Sequence, residues 1–199
     1  MRMAPTRTGA GARRTRYQLP QRSLRPPADR TRFGVRSEAG DAVFDVHAVA
    51  PDALVFRHPT GGERCTIHEA TCGLQPLMRI SRRGQPAAWV GKVVVGPARE
   101  HYTVDLGPTV LSVRGRPVDH EYTIGHGRRT VAAVSRVWVS SPEAYGVEIA
   151  PDQDDALILA ITVCISLMSG GAGVPCAPRR VPRDGRSGAS PLQTGRGTR

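Results

Sequence analysis

The 199-residue sequence predicts a mainly β fold: an antiparallel barrel of about twelve strands, closed around one C-terminal hydrophobic α-helix. Three observations lead there. From Thr31 to Ile149 the apolar residues recur with period two in short segments, the mark of strands with one buried face. The links between these segments are of hairpin length, which joins neighbours antiparallel. From Ala156 to Met168 the chain is apolar on every side, and such a helix is enclosed by protein or by lipid.

The strands follow in order. Tyr17-Gln18-Leu19 opens the domain, and Pro20 to Asp29, with Pro26-Pro27, is an irregular connector because proline biases its predecessor away from helix. Phe33 and Val35 alternate with arginines, Glu38 to Asp41 turns the chain, and Val43 to His47 follows. Leu54 to His58, Arg64 to Glu69, Leu77 to Ile80 and the long Ala87 to Val95 come next, separated by Gly-rich turns. His101 to Leu106, Val110 to Val113, Glu121 to Ile124, a long Thr130 to Val139 and Tyr145 to Ile149 complete the set. Twelve strands leave a lumen about as wide as a helix, whereas eight fill their own interior. Closure also removes the exposed edges of so long a meander.

The helix is expected over residues 153–168, with Ala156, Leu157, Ile158, Leu159, Ile161, Val163 and Ile165 as its enclosed surface. Asp152, Asp154 and Asp155 stand where orphan N–H groups and the positive dipole end favour carboxylates, and Gly170-Gly171 stops it. At 1.5 Å per residue the apolar run reaches roughly 20 Å, too short to span a bilayer.

The formal charge is +11, of which residues 1–16 carry +5 and residues 170–199 another +5, leaving the middle at +1. The expected organisation is therefore a disordered basic tail over 1–16, a barrel over 17–169 and a second disordered basic tail over 170–199. Basic tails bind phosphate without sequence specificity. The cations comprise 27 Arg and one Lys, Lys92, an enrichment that fits a GC-rich genome and weakens any reading of single arginines. Four cysteines without a CxxC spacing argue for reduced thiols rather than a disulfide framework or zinc site. A cytoplasmic setting is expected, with no secretory leader and no transmembrane segment.

The segment from Asp119 to Ser169 resembles the LURP-one-related family, which groups with the tubby C-terminal domain and the phospholipid scramblases. The resemblance is carried by Asp119 to Ile124, by Val131 to Arg136 with Trp138, by Tyr145 to Ala150, and by Asp154 to Val163. Phe33, Gly40 with Val43 to Val46, and Met78-Arg79-Ile80 follow it more loosely, so that it covers about residues 17–169. It implies the same helix-filled twelve-stranded barrel. It also implies headgroup binding by basic residues on the barrel exterior, as in tubby-type domains. The Cys-rich and calcium-binding stretches of scramblases have no counterpart in this sequence.

Candidate sites are few. Arg82-Arg83 and Arg128-Arg129 fall at hairpin turns, and with Lys92 and Arg136 they are the candidate anion- or headgroup-binding set. Solvated turns are the plainer account. Asp119 and Glu121 could act as an acid/base pair, but strand-end hydrogen bonding explains them more simply, with His120 on the opposite face. No HExxH, GxSxG, P-loop or GxGxxG occurs. No catalytic residue, metal or cofactor is assigned, and three Phe are poor material for specific nucleic-acid binding. The expectation is a monomeric, non-catalytic domain, peripheral at a membrane, that binds anionic phospholipid. The alternative is a structural or adaptor barrel with a protein partner.

Overall fold

The computed structural model describes residues 14–20, 32–50, 52–72, 75–94 and 100–169. Twelve strands follow one another: β1 Thr15–Pro20, β2 Arg32–Ser37, β3 Ala42–Ala50, β4 Ala53–Arg57, β5 Glu63–Cys72 and β6 Gln75–Arg82, then β7 Gln85–Val94, β8 Glu100–Asp105, β9 Val110–Arg116, β10 Glu121–His126, β11 Arg129–Ser135 and β12 Ala144–Ile149. One 3-10 turn, Pro117–Asp119, joins β9 to β10, and α1 spans Asp155–Ser169. Each strand pairs antiparallel with its sequence neighbours, and β1 pairs with β12 to close the barrel.

Alternation decides what faces in. Val35, Val46, Phe56, Ile80, Val90 and Ile124 point into the lumen and are fully buried. They meet Leu159, Ile161, Val163 and Ile165 of α1, also fully buried. Each such side chain contributes about 1.5–3 kcal/mol of transfer free energy, so the helix is the core to which every stave is fastened. Of the predicted helix surface, Leu157, Ile158, Leu159, Ile161, Val163 and Ile165 are buried, and Ala156 is half-buried at the mouth.

The helix is less uniform than its composition suggests. Asp155, Thr162, Ser166 and Ser169 recur at spacings of seven, four and three, which places them within about 60° of the helix circumference. All four tyrosines of the chain reach this stripe. Tyr17 Oη donates to Asp155 Oδ2 at 2.5 Å. Tyr145 Oη lies 3.2 Å from Ser166 Oγ, and Tyr102 Oη 3.0 Å from Ser169 Oγ. Tyr122 Oη stands beside Thr162 and Ser166 but meets no partner in hydrogen-bond geometry. Thr162 and Ser169 spend their own protons on the carbonyls one turn back, Ile158 and Ile165. The expectation of a helix without a polar face is corrected accordingly.

Boundaries differ in three places. β1 begins at Thr15, so Thr15 and Arg16 belong to the wall and not to a tail. The helix runs over 155–169 rather than 153–168. β11 ends at Ser135, because Arg136 to Val139 forms a turn closed by Val139 N–H to the Arg136 carbonyl at 3.3 Å. The predicted disorder of the tails concerns residues 1–13 and 170–199, which lie outside the described residues.

Candidate functional site

The barrel has two ends. At the cap end α1 enters, amid the turns that follow β2, β4, β6, β8 and β10. At the far end α1 finishes, and the 3-10 turn and the loop from Arg136 to Glu143 project.

The cap end is built around Asp154. Its Oδ1 accepts from Leu157 N–H at 3.1 Å and its carbonyl from Ile158 N–H at 3.0 Å, which makes it the N-cap. Its Oδ2 accepts from Arg82 Nη1 at 2.9 Å. A bulge before Arg82 shifts the register of β6 and turns this side chain inward until 12% remains exposed. Asp155 takes the Tyr17 phenol, and Asp152 occupies a left-handed conformation with φ 64°. The three carboxylates therefore differ: one caps, one anchors a strand, and one shapes the approach. Cys65 Sγ lies 4.0 Å from the Ala156 carbonyl, and burial, helped by Asp154, pushes its thiol up to about 12.

The six basic candidates do not form one patch. Arg82 is engaged with the helix cap. Arg83, Arg128 and Arg129 are exposed at the cap end, the first two on turns separated by the β8–β9 turn and Arg129 at the start of β11, and no ion pair joins them to another described residue. Lys92 shares the inward face of Val90, is 8% exposed and lies 5.9 Å from the Tyr102 ring centroid, inside the wall rather than on it. Arg136 is at the far end, its Nη2 donating to the Pro142 carbonyl at 3.3 Å.

The far end is tightly knitted. Glu121 Oε1 accepts from Ser135 Oγ at 2.9 Å and from Arg136 N–H at 2.8 Å, the strand-end role expected for it. Asp119 Oδ2 pairs with Arg116 Nε at 3.2 Å. His120 is left-handed with φ 55°, and its ring stacks on Tyr145 with centroids 4.2 Å apart. The pair of carboxylates is thus engaged, and His120 lies on neither face of a strand. Burial, aided by Arg136, lowers the His120 pKa, and its Nδ1 is buried without a partner among the described residues. Trp138 folds down over Gly146, where a Cβ would lie 2.9 Å from Trp138 Cβ, and Arg16 covers its ring at 5.7 Å. Arg16 and Arg14 each reach Glu148 at 2.9 Å. Burial alone would raise the Glu148 pKa, but these two guanidinium hydrogen bonds outweigh it and the net shift is downward.

Sequence reasoning missed the exposed residues of this end. Val137 is 85% exposed, Val118 60% and Trp138 39%. For Val118 the signal was its place between Pro117 and Asp119, where a small polar turn is expected, whereas Val137 and Trp138 read as the end of one continuous strand. Among the described residues no group of three or more His, Cys, Asp or Glu could hold a metal ion. No described helix is long and apolar enough to cross a membrane.

The LURP-one-related family profile matches residues 27–166, from just before β2 through most of α1. A crystal structure of an Arabidopsis thaliana protein superposes with a TM-score of 0.51 at 14% identity, covering 78% of this chain and 91% of that one; this likeness concerns the fold. No curated protein matches. With the family profile spanning the barrel and the helix that fills it, the chain belongs to the LURP-one-related family.

Proposed function

We propose that this chain is a non-catalytic binding domain whose ligand is an anionic phospholipid surface. The observation that carries the reading is the filled lumen: α1 occupies the space in which a barrel of this size would hold a ligand, so recognition falls to the outside. There the chain exposes Arg83, Arg128 and Arg129 at one end and Arg114 and Arg136 at the other, with no carboxylate paired to any of them among the described residues. The basic residues of 1–13 and 170–199 add affinity without specificity. In this reading the protein is a peripheral monomer, and its buried thiols suit a reducing compartment.

The test is co-sedimentation of the full chain with phosphatidylcholine vesicles, with and without phosphatidylserine, at low and physiological salt. Selective, salt-sensitive binding is expected. Deleting 1–13 and 170–199 should weaken it more than changing Arg128 and Arg129 to Ala. Equal binding to neutral and anionic vesicles, or none, would sink the reading.

A further inference from the structure

The far end presents apolar side chains at the tips of two turns, where small polar residues are the rule. In the turn from Arg136 to Val139, closed at 3.3 Å, the two central positions are Val137 and Trp138. In the 3-10 turn, His120 N–H closes on the Pro117 carbonyl at 3.0 Å, and Val118 is the first residue inside it. The two valines are 85% and 60% exposed, a cost in water that nothing in the local backbone demands, since neither turn needs a branched apolar residue.

The turns are held together and held still. The Glu121 carboxylate, at the end of one, binds Ser135 Oγ and Arg136 N–H, at the start of the other. Val137 N–H donates to Ser135 Oγ at 3.2 Å. His120 stacks on Tyr145, whose hydroxyl reaches Ser166 of α1. Trp138 sits lower on the wall, seated on Gly146 beneath Arg16.

Charge completes the pattern. Arg114, Arg116 and Arg136 lie within four residues of the valines, against Asp119, which pairs with Arg116, Glu121, whose carboxylate is spent on the facing loop, and Glu143, which is itself engaged. Arg114 and Arg136 have no carboxylate partner among the described residues. Apolar tips, a tryptophan at the shoulder and guanidinium groups between them match the layers of an anionic bilayer: acyl chains, interface and phosphate. Projecting tips, unlike groove walls, suit a soft surface.

We infer that the far end of the barrel, led by Val118 and Val137 with Trp138 at its shoulder, is the face that enters an anionic membrane interface. This rests on the surface-binding reading above and selects one end of the molecule for it.

The experiment uses the full chain carrying Trp89→Phe, so that Trp138 is the sole tryptophan. With phosphatidylcholine–phosphatidylserine vesicles its emission should shift to the blue, and brominated acyl chains should quench it. Changing Val118 and Val137 together to Ser should lower vesicle affinity about tenfold or more at an unchanged melting temperature, because both side chains are already exposed. If the full chain binds these vesicles but the Ser variant binds equally and Trp138 stays in water, the inference fails while the surface-binding reading stands. If no vesicle binds, both fail. A stoichiometric protein partner that protects Val118 and Val137 in the absence of vesicle binding overturns both in favour of an adaptor.

Discussion

The Tyr17 phenol donates to the Asp155 carboxylate across 138 residues of sequence at 2.5 Å. It ties the first strand to the first turn of the last helix. β1 is registered with β2 at only Tyr17↔Ser37 and Gln18↔Arg36, against six pairs with β12, so this side of the barrel is held partly by the phenol. A bond of this charge-assisted kind is worth about 1.5–3 kcal/mol. Tyr17→Phe should lower unfolding stability by about 1–2 kcal/mol, because water can still solvate the half-buried Asp155. Urea denaturation measures it, and an unchanged midpoint would deny the tie.

Asp154 does two jobs that substitution can separate. Asparagine keeps an acceptor for Leu157 N–H but loses the charge facing Arg82, whereas alanine loses both. The ion pair is partly open to solvent on the aspartate side and so contributes little, while an N-cap is worth about 1 kcal/mol. Asp154→Asn should cost under about 1 kcal/mol and Asp154→Ala about 1–2. Equal losses in thermal or urea unfolding would mean that the guanidinium, not the cap, governs this end.

The barrel was legible because its signals are local and redundant: period two, hairpin-length links and one apolar helix each demand the same architecture. The helix stripe was not, because four polar positions dispersed through an apolar run vanish unless their spacing is tested against 3.6. Lys92 was misplaced on the exterior, although alternation from Val90 carries it inward. Long-range engagement was harder. Arg82 lies at a hairpin turn like Arg83, and only the β6 bulge, invisible in sequence, aims one at Asp154 and leaves the other in water. The Val137 tip was lost for a similar reason, since Thr130 to Val139 alternates well enough to pass for one strand.

The enclosed helix predicts a severe outcome for a single charge. Ile158 and Leu159 are both buried within the barrel. An aspartate at either position strands an unpaired carboxylate among apolar staves, at several kcal/mol against a typical total of about 5–15. Ile158→Asp and Leu159→Asp should each abolish cooperative unfolding and the near-ultraviolet circular dichroism of the tyrosines. A folded, monomeric variant of either kind would show that α1 is not enclosed.

Gly115 is fixed by backbone geometry. Its φ is +128°, and a Cβ there would lie 2.5 Å from the Glu121 carbonyl oxygen and 2.7 Å from Tyr122 Cα. Gly107, with φ +89°, has nothing within 4 Å of the same point. Gly115→Ala should cost about 2–4 kcal/mol, from conformational strain plus a clash with rigid backbone. Gly107→Ala bears the strain alone, about 1 kcal/mol. The difference between their urea midpoints measures the clash. Equal losses would place the effect in φ rather than in contact with β10.

Three inward tyrosines make the barrel sensitive to alkali. Burial raises the Tyr17, Tyr122 and Tyr145 pKa values above the ordinary 10, with Asp155 adding to the effect at Tyr17 and the Ser166 hydroxyl partly offsetting it at Tyr145. Above pH 10 the unfolded chain therefore loses protons that the folded chain keeps. The unfolded state binds fewer protons there, so stability falls as pH rises, and the contribution is fully present below pH 10. Each phenol adds about 1.4 kcal/mol per pH unit, about 4 for the three together. That slope removes a typical total stability within a few units. Tyrosinate absorbance and far-ultraviolet circular dichroism should change together, in one cooperative step well above pH 10. Phenols titrating near pH 10 in a chain that stays folded would show that these hydroxyls are not sealed against the helix.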